Sequence, residues 1–172
     1  MKRLSAYQAI ACLLLFSSVH SQDATPVKNS ANTPYKIDFN NLSTGTDAYS
    51  KKVLNAWKAF DNNQLAESAD LFTDDVKAYF PDGSVIKGKE EFFKMSVQYR
   101  NSLAAVSSTV DACTTLKSPA HPGIEVTVIW GEETDTQKDG SIVKTAVHEA
   151  WFFNKAGKVF EFHQYTAKTP KQ

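Results

Sequence analysis

Apolar residues change their spacing twice between Val53 and Gly88, and that change constrains the fold more than any other feature of the chain. Val53, Ala56, Trp57 and Phe60 recur at helical spacing, which gives one buried stripe. Asp61-Asn62-Asn63 interrupts the stripe with turn-forming residues, and a second short amphipathic run follows with Leu65, Ala69, Leu71 and Phe72. After Asp74-Asp75 the period falls to two, so Val76 to Phe80 reads as a strand. Pro81-Asp82-Gly83 then turns the chain into a short return strand, Ser84 to Lys87, and Gly88 opens a third helix. Two helices, a hairpin and a further helix predict an α+β domain with helices on one sheet face.

The rest of the chain is mostly strand. The first helix starts near Thr46-Asp47, either of which can cap its free amides. The third runs from about Lys89 to Ala104, with Phe92, Phe93, Val97 and Arg100 on one side. Its first turn holds Glu90 and Glu91, where the helix dipole favours acids. Four strands are predicted at 106–117, 123–133, 142–154 and 158–166. Ser118 to Gly123, Asp135 to Ser141 and Asn154 to Gly157 supply the turns between them.

The start of the chain reads as processing rather than fold. Met1-Lys2-Arg3, the apolar run from Ile10 to Phe16 and the small residues from Ser17 to Ser21 predict a signal peptide over 1–21. Export to a periplasm or outside the cell follows from it. Residues 22–46 are rich in Asn, Thr, Ser and Pro and read as a flexible arm, in which Ile37, Phe39 and Leu42 can pack on the domain. Residues 47–167 form one domain and 168–172 a tail. Without Lys2 and Arg3, 17 basic residues face 19 acidic ones, with no basic stripe, which excludes nucleic acid as a partner. No later run is long enough to span a membrane. Cys113 alone remains after cleavage; its strand setting suggests a buried, inert thiol.

The junction Leu71-Phe72-Thr73-Asp74-Asp75-Val76, the Pro81-Asp82-Gly83 turn and the run Phe153-Asn154-Lys155-Ala156-Gly157-Lys158-Val159 resemble the nuclear transport factor 2-like superfamily, in particular its SnoaL-like and ketosteroid-isomerase-like branches. The resemblance covers about 47–167. It implies three N-terminal helices on a strongly bent, mostly antiparallel sheet, shaped as a cone with a cavity inside. It also implies a homodimer through the convex sheet face. It places Val76, Ala78, Phe80, Glu149, Trp151, Phe153, Phe160, Phe162 and Gln164 on the concave face, and alternation adds Val126, Val128 and Trp130. Lys77, Tyr79, His148, Ala150, Phe152, Val159, Glu161, His163 and Tyr165 fall on the convex face.

The site expected from this placement is a wall for a small hydrophobic or aromatic ligand: Trp57, Phe80, Trp130, Glu149, Trp151, Phe153, Phe162 and Gln164. Such a set also suits a closed aromatic core. Glu149 is the one carboxylate on it. Walled by aromatics it is either a raised-pKa acid that donates a hydrogen bond or moves a proton, or half of an ion pair with Arg100 or a lysine. Ketosteroid isomerases resemble this chain at Glu149, the counterpart of their second oxyanion acid. They differ where Phe80 stands in place of the acid that removes the substrate proton, and where Ala56 replaces the oxyanion tyrosine. SnoaL-like cyclases imply an aldol-type ring closure in which Glu149 is the acid-base group. No cofactor or metal is expected; His148 and His163 are read as polar contacts of a two-fold interface. The readings open at this point are a ligand-binding domain, a non-catalytic dimer module with a self-filled cavity, and a lyase or isomerase of polyketide- or steroid-like ketones.

Overall fold

The computed structural model describes residues 34–168. The expected signal peptide, residues 22–33 of the arm and residues 169–172 of the tail lie outside them. The first helix, α1, spans Asp47–Asp61 and buries Ser50, Val53 and Ala56. Thr46 stands at its N-cap without capping it. Its hydroxyl instead donates to Glu125 Oε1 at 2.9 Å, and its amide to Oε2 at 2.6 Å. The arm is already tied down before that point: Ser43–Thr44 (β1) pairs with the sheet, and Phe39 stacks on His121 at 4.2 Å. Asn63, at φ +59, ends the helix with the left-handed turn that Asn tolerates.

The second helical run, Leu65–Leu71, is a seven-residue 3₁₀ turn, so the described residues contain two α-helices. A 3₁₀ turn advances further per residue than an α-helix, which suits a short bridge into a strand. β2 (Phe72–Tyr79) and β3 (Val85–Lys87) form the expected hairpin, closed by Gly83 at φ +85 and by the Asp82 carboxylate accepting the Ser84 amide at 2.9 Å. α2 spans Lys89–Ser102 and follows the hairpin. Its buried Arg100 donates to the main-chain carbonyls of Phe60 and Asp61, both at 2.9 Å. The guanidinium therefore closes the C-terminus of α1 and is not a partner for Glu149.

Four long strands follow: β4 (Ala105–Lys117), β5 (Glu125–Thr136), β6 (Ile142–Phe153) and β7 (Val159–Lys168). The sheet order is β1-β4-β5-β6-β7-β2-β3, antiparallel except where β2 joins β7. β5 runs past the predicted end at 133, because Thr134–Thr136 pair with Ile142–Lys144. Asp135 is thus a buried strand residue rather than the first residue of a turn. The core lies where the helices meet one face of the sheet, around Val53, Phe72, Val76, Phe92, Ile129, Trp151, Phe153 and Phe162.

Register corrects two face assignments. Trp130 pairs with His148, and Ile129 with Glu149. Directly opposed residues share a face, so Val126, Val128 and Trp130 are convex, and Thr127, Ile129, Gly131 and Glu133 are concave. No motif anchored the phase of β5, and a one-residue error inverts every side chain of a strand. The second correction is at Phe160. β7 bulges there, since Phe152 pairs with Glu161 and Phe153 with Val159. Val159 is consequently fully buried in the core, and Phe160 packs edge-on against convex Phe152 at 6.4 Å.

Candidate functional site

The concave face and the two helices enclose a cavity of about 500 Å³. Trp57, Phe80, Glu149, Trp151, Phe162 and Gln164 line it, as expected from the sequence. Phe153 lies in the core instead, wholly buried and stacked on Tyr49 at 4.3 Å with the rings 7° from parallel. Trp130 is outside the cavity, 39% exposed and stacked on His148 at 4.8 Å. α2 (Met95, Ser96, Tyr99) and the hairpin (Pro81, Asp82, Ser84) add to the wall, with Phe60 of α1 and Glu133 of β5.

Glu149 is held from three directions. Trp57 Nε1 donates to Oε2 at 2.6 Å and Trp151 Nε1 to the same oxygen at 2.9 Å. Gln164 Nε2, directly opposite on β7, donates to Oε1 at 3.0 Å. Each element contributes for a local reason. Glu149 and Trp151 are two residues apart on β6 and so share the inner face. Trp57 descends from α1 over Gly131, where a Cβ would stand 3.1 Å from the indole and 2.1 Å from the Thr109 carbonyl oxygen. The missing side chain lets the ring lie against the sheet. Burial pushes the Glu149 pKa up, and the three N–H donors pull it back. Indole N–H groups can only donate, so both rings are oriented by the carboxylate they share.

A second acidic locus lies on the same face. Glu133 lines the cavity, and its pKa is pushed up to about 8 by burial first, then by the charges of Asp135, Glu149 and Asp61. Asp135, two residues on, accepts the Tyr99 hydroxyl on Oδ2 at 2.9 Å, while its buried Oδ1 receives no N–H donor. Burial and then Asp135 push the Tyr99 pKa up as well. Asp61 accepts Ser108 Oγ at 2.8 Å on Oδ1 and the Ser108 amide at 3.2 Å on Oδ2. None of these groups was singled out from the sequence. The signal was present as the alternation of Thr127, Ile129, Gly131, Glu133 and Asp135, and it was hidden by the inverted phase of β5.

The convex face carries its own aromatic row. Tyr165 stands 5.8 Å from His148 and 6.4 Å from His163, between ring centroids, and so separates the two histidines. His163 bonds Glu161 at 2.9 Å and packs on Tyr79 at 4.5 Å. Among the described residues, no group of three or more His, Cys, Asp or Glu is placed to hold a metal ion. Burial pushes the half-buried Cys113 thiol up in pKa, and its Sγ lies 3.8 Å from the Ser50 carbonyl oxygen. No described helix is long and apolar enough to cross a membrane.

Helices on the inner face of a curled mixed sheet, with a cavity between, define the nuclear transport factor 2-like fold. Solved structures with the same fold include a nuclear transport factor 2-like protein of unknown function from Burkholderia pseudomallei, at 18% identity and a TM-score of 0.58, covering 71% of this chain and 92% of that one. A candidate SnoaL-like polyketide cyclase from Jannaschia sp. CCS1 is similar at 14% identity and a TM-score of 0.57, covering 71% and 91%. An LEH-like epoxide hydrolase from M. tuberculosis is similar at 11% identity and a TM-score of 0.58, covering 71% and 84%. No protein-family model and no curated protein matches the chain. Similarity at this level establishes the fold.

Proposed function

We propose that this is an exported SnoaL-like domain that binds a small hydrophobic or aromatic molecule in its cone cavity. The open volume of about 500 Å³ beside Glu149 carries the reading. It falls in the range of small-molecule sites, and its wall combines aromatic rings with polar groups such as Glu133, Glu149 and Gln164. The same open volume argues against a module whose cavity is filled by its own side chains. Saturable quenching of Trp57 and Trp151 fluorescence by 2-naphthol tests it. Ser96 lines the cavity, and Ser96→Phe should fill the space and abolish the quenching. Absence of saturable quenching in the wild type would remove the binding reading.

A second reading, turnover of a polyketide- or steroid-like ketone with Glu149 as acid-base group, is favoured by the raised pKa of that buried carboxyl. Hydrogen–deuterium exchange next to the carbonyl of 2-tetralone, followed by NMR, checks it. The wild type should outpace Glu149→Gln by 100-fold or so, the usual contribution of one acid-base group. Equal rates would leave binding without catalysis.

A further inference from the structure

Three carboxyl groups line the cavity, Asp82, Glu133 and Glu149, and among the described residues that line it there is no lysine, arginine or histidine. Asp61 and Asp135 add to the same side of the balance, each with its carboxylate buried. The nearby cations are committed elsewhere. Arg100 is spent on the carbonyls of Phe60 and Asp61, and Lys58 meets Asp61 only at 3.8 Å from an exposed position. The ionisable groups on the wall are all acids, so the cavity offers an entering cation a carboxylate partner and offers an anion none. Buried carboxylates are ordinarily paired, yet among the described residues neither Glu133 nor Asp135 forms an ion pair with a protein cation, and Asp61 meets only the distant Lys58. Asp135 beside it accepts the Tyr99 hydroxyl on Oδ2 and shares a side-chain hydrogen bond with Glu133, so the two carboxyls form one buried acidic pair with no N–H donor on Asp135 Oδ1.

We infer that the ligand of this cavity is an organic cation, an aromatic or alkyl amine in its ammonium form, whose charged head is received at Glu133 and whose apolar body lies among Trp57, Phe60 and Tyr99. This deepens the ligand-binding reading and rests on it. The face of an aromatic ring attracts an ammonium as well as covering its hydrocarbon. Phe60 and Tyr99 stack at 6.3 Å, and both line the cavity with Trp57. Glu149 is not the acceptor, because its two oxygens already take three N–H donors. The groups that bear on Glu133 are Asp135 on its own strand, Glu149 on β6, and Asp61 from α1, all acidic; Tyr99 from α2 reaches Asp135 as a neutral phenol. In the unliganded cavity they keep the Glu133 proton on. An entering ammonium reverses that balance, so the proton leaves to solvent and a carboxylate–ammonium pair forms.

Isothermal titration of the full-length chain at pH 7 with phenethylammonium, 2-phenylethanol and phenylacetate tests this, with the amine repeated in phosphate and in MOPS buffer. The amine should bind at least tenfold more tightly than the alcohol, and phenylacetate should give no heat. The amine's heat should differ between buffers, reporting the released proton. Glu133→Gln should erase the tenfold preference and the buffer dependence while the alcohol still binds. Equal affinity for alcohol and amine, or tighter binding of phenylacetate, overturns the amine inference and leaves the cavity reading standing. Silence from all three probes overturns both.

Discussion

Glu133 makes the clearest prediction for a single side chain. Its carboxyl has an ordinary value of 4.5 and a folded value of about 8. Between those values the native state holds a proton that the unfolded chain has lost, so stability falls as pH rises through that window. Below about 4.5 both states are protonated and the penalty vanishes; above about 8 it is complete. Glu133→Gln should therefore leave Tm unchanged at pH 4.5 and raise it at pH 8, flattening the slope between. Thermal unfolding across that range checks it, and parallel profiles for the two proteins would show Glu133 to be ionised in a solvated setting. Gly131 gives a second prediction at this scale. A Cβ there would stand 2.1 Å from the Thr109 carbonyl oxygen and 3.1 Å from Trp57, so Gly131→Ala must move the strand or the indole. Loss of about 1–3 kcal/mol is expected, the range for overpacking. The fluorescence of Trp57 should shift as its bond to Glu149 breaks. A variant with wild-type stability and spectrum would contradict the packing of Trp57 on that glycine.

At the scale of elements, what the sequence made legible follows from where it held an anchor. β3 and the start of α2 lie where the change of period put them, because a turn rich in Gly and Asp fixes the phase on both sides, whereas β2 begins at Phe72, before the expected Val76. The inner placement of Glu149, Trp151 and Gln164 was legible from the resemblance carried by the Phe153 to Val159 run, which spans the turn between β6 and β7. β5 had no such anchor. Trp130 looks like a core residue by composition, and only pairing with His148 puts it outside. The Phe160 bulge was invisible for a related reason: an inserted apolar residue after apolar Val159 leaves no compositional trace. Asp135 was read as turn because acids and glycine follow it, yet cross-strand pairing carries β5 through it. Phe153 marks the packing that these elements share. It is fully buried and stacked on Tyr49 of α1, so Phe153→Ala should cost about 3–5 kcal/mol in chemical denaturation, with the denaturant slope unchanged. A cost under about 1 kcal/mol would mean that α1 is not locked to the sheet through this ring.

At the scale of the molecule, the two sheet faces have different fates. The inner face is closed by helices, whereas among the described residues no helix lies over the outer face, which presents Trp130 and Tyr165 at 39% and 55% exposure, with Ile142 exposed on β6. Trp130, His148 and Tyr165 form one row across three strands, and His148 Nε2 is buried without a partner beneath it. Aromatic residues at the centre of a flat patch, bordered by charged groups such as Glu161 and Lys77, match the composition of protein interfaces. We propose that a second copy covers this row, in a two-fold arrangement that brings Trp130 and Tyr165 of each copy against the other. Sedimentation should then give a dimer for the wild type at micromolar concentration. Trp130→Glu should give a monomer, because each copy would bury a new carboxylate against the other at the two-fold seam. Trp130 lies on the face away from the cavity, so the monomer should still bind 2-naphthol with wild-type affinity. A wild type that sediments as a monomer removes the interface. A monomeric variant that also loses 2-naphthol would instead mean that the cone holds its shape only when a second sheet lies against it.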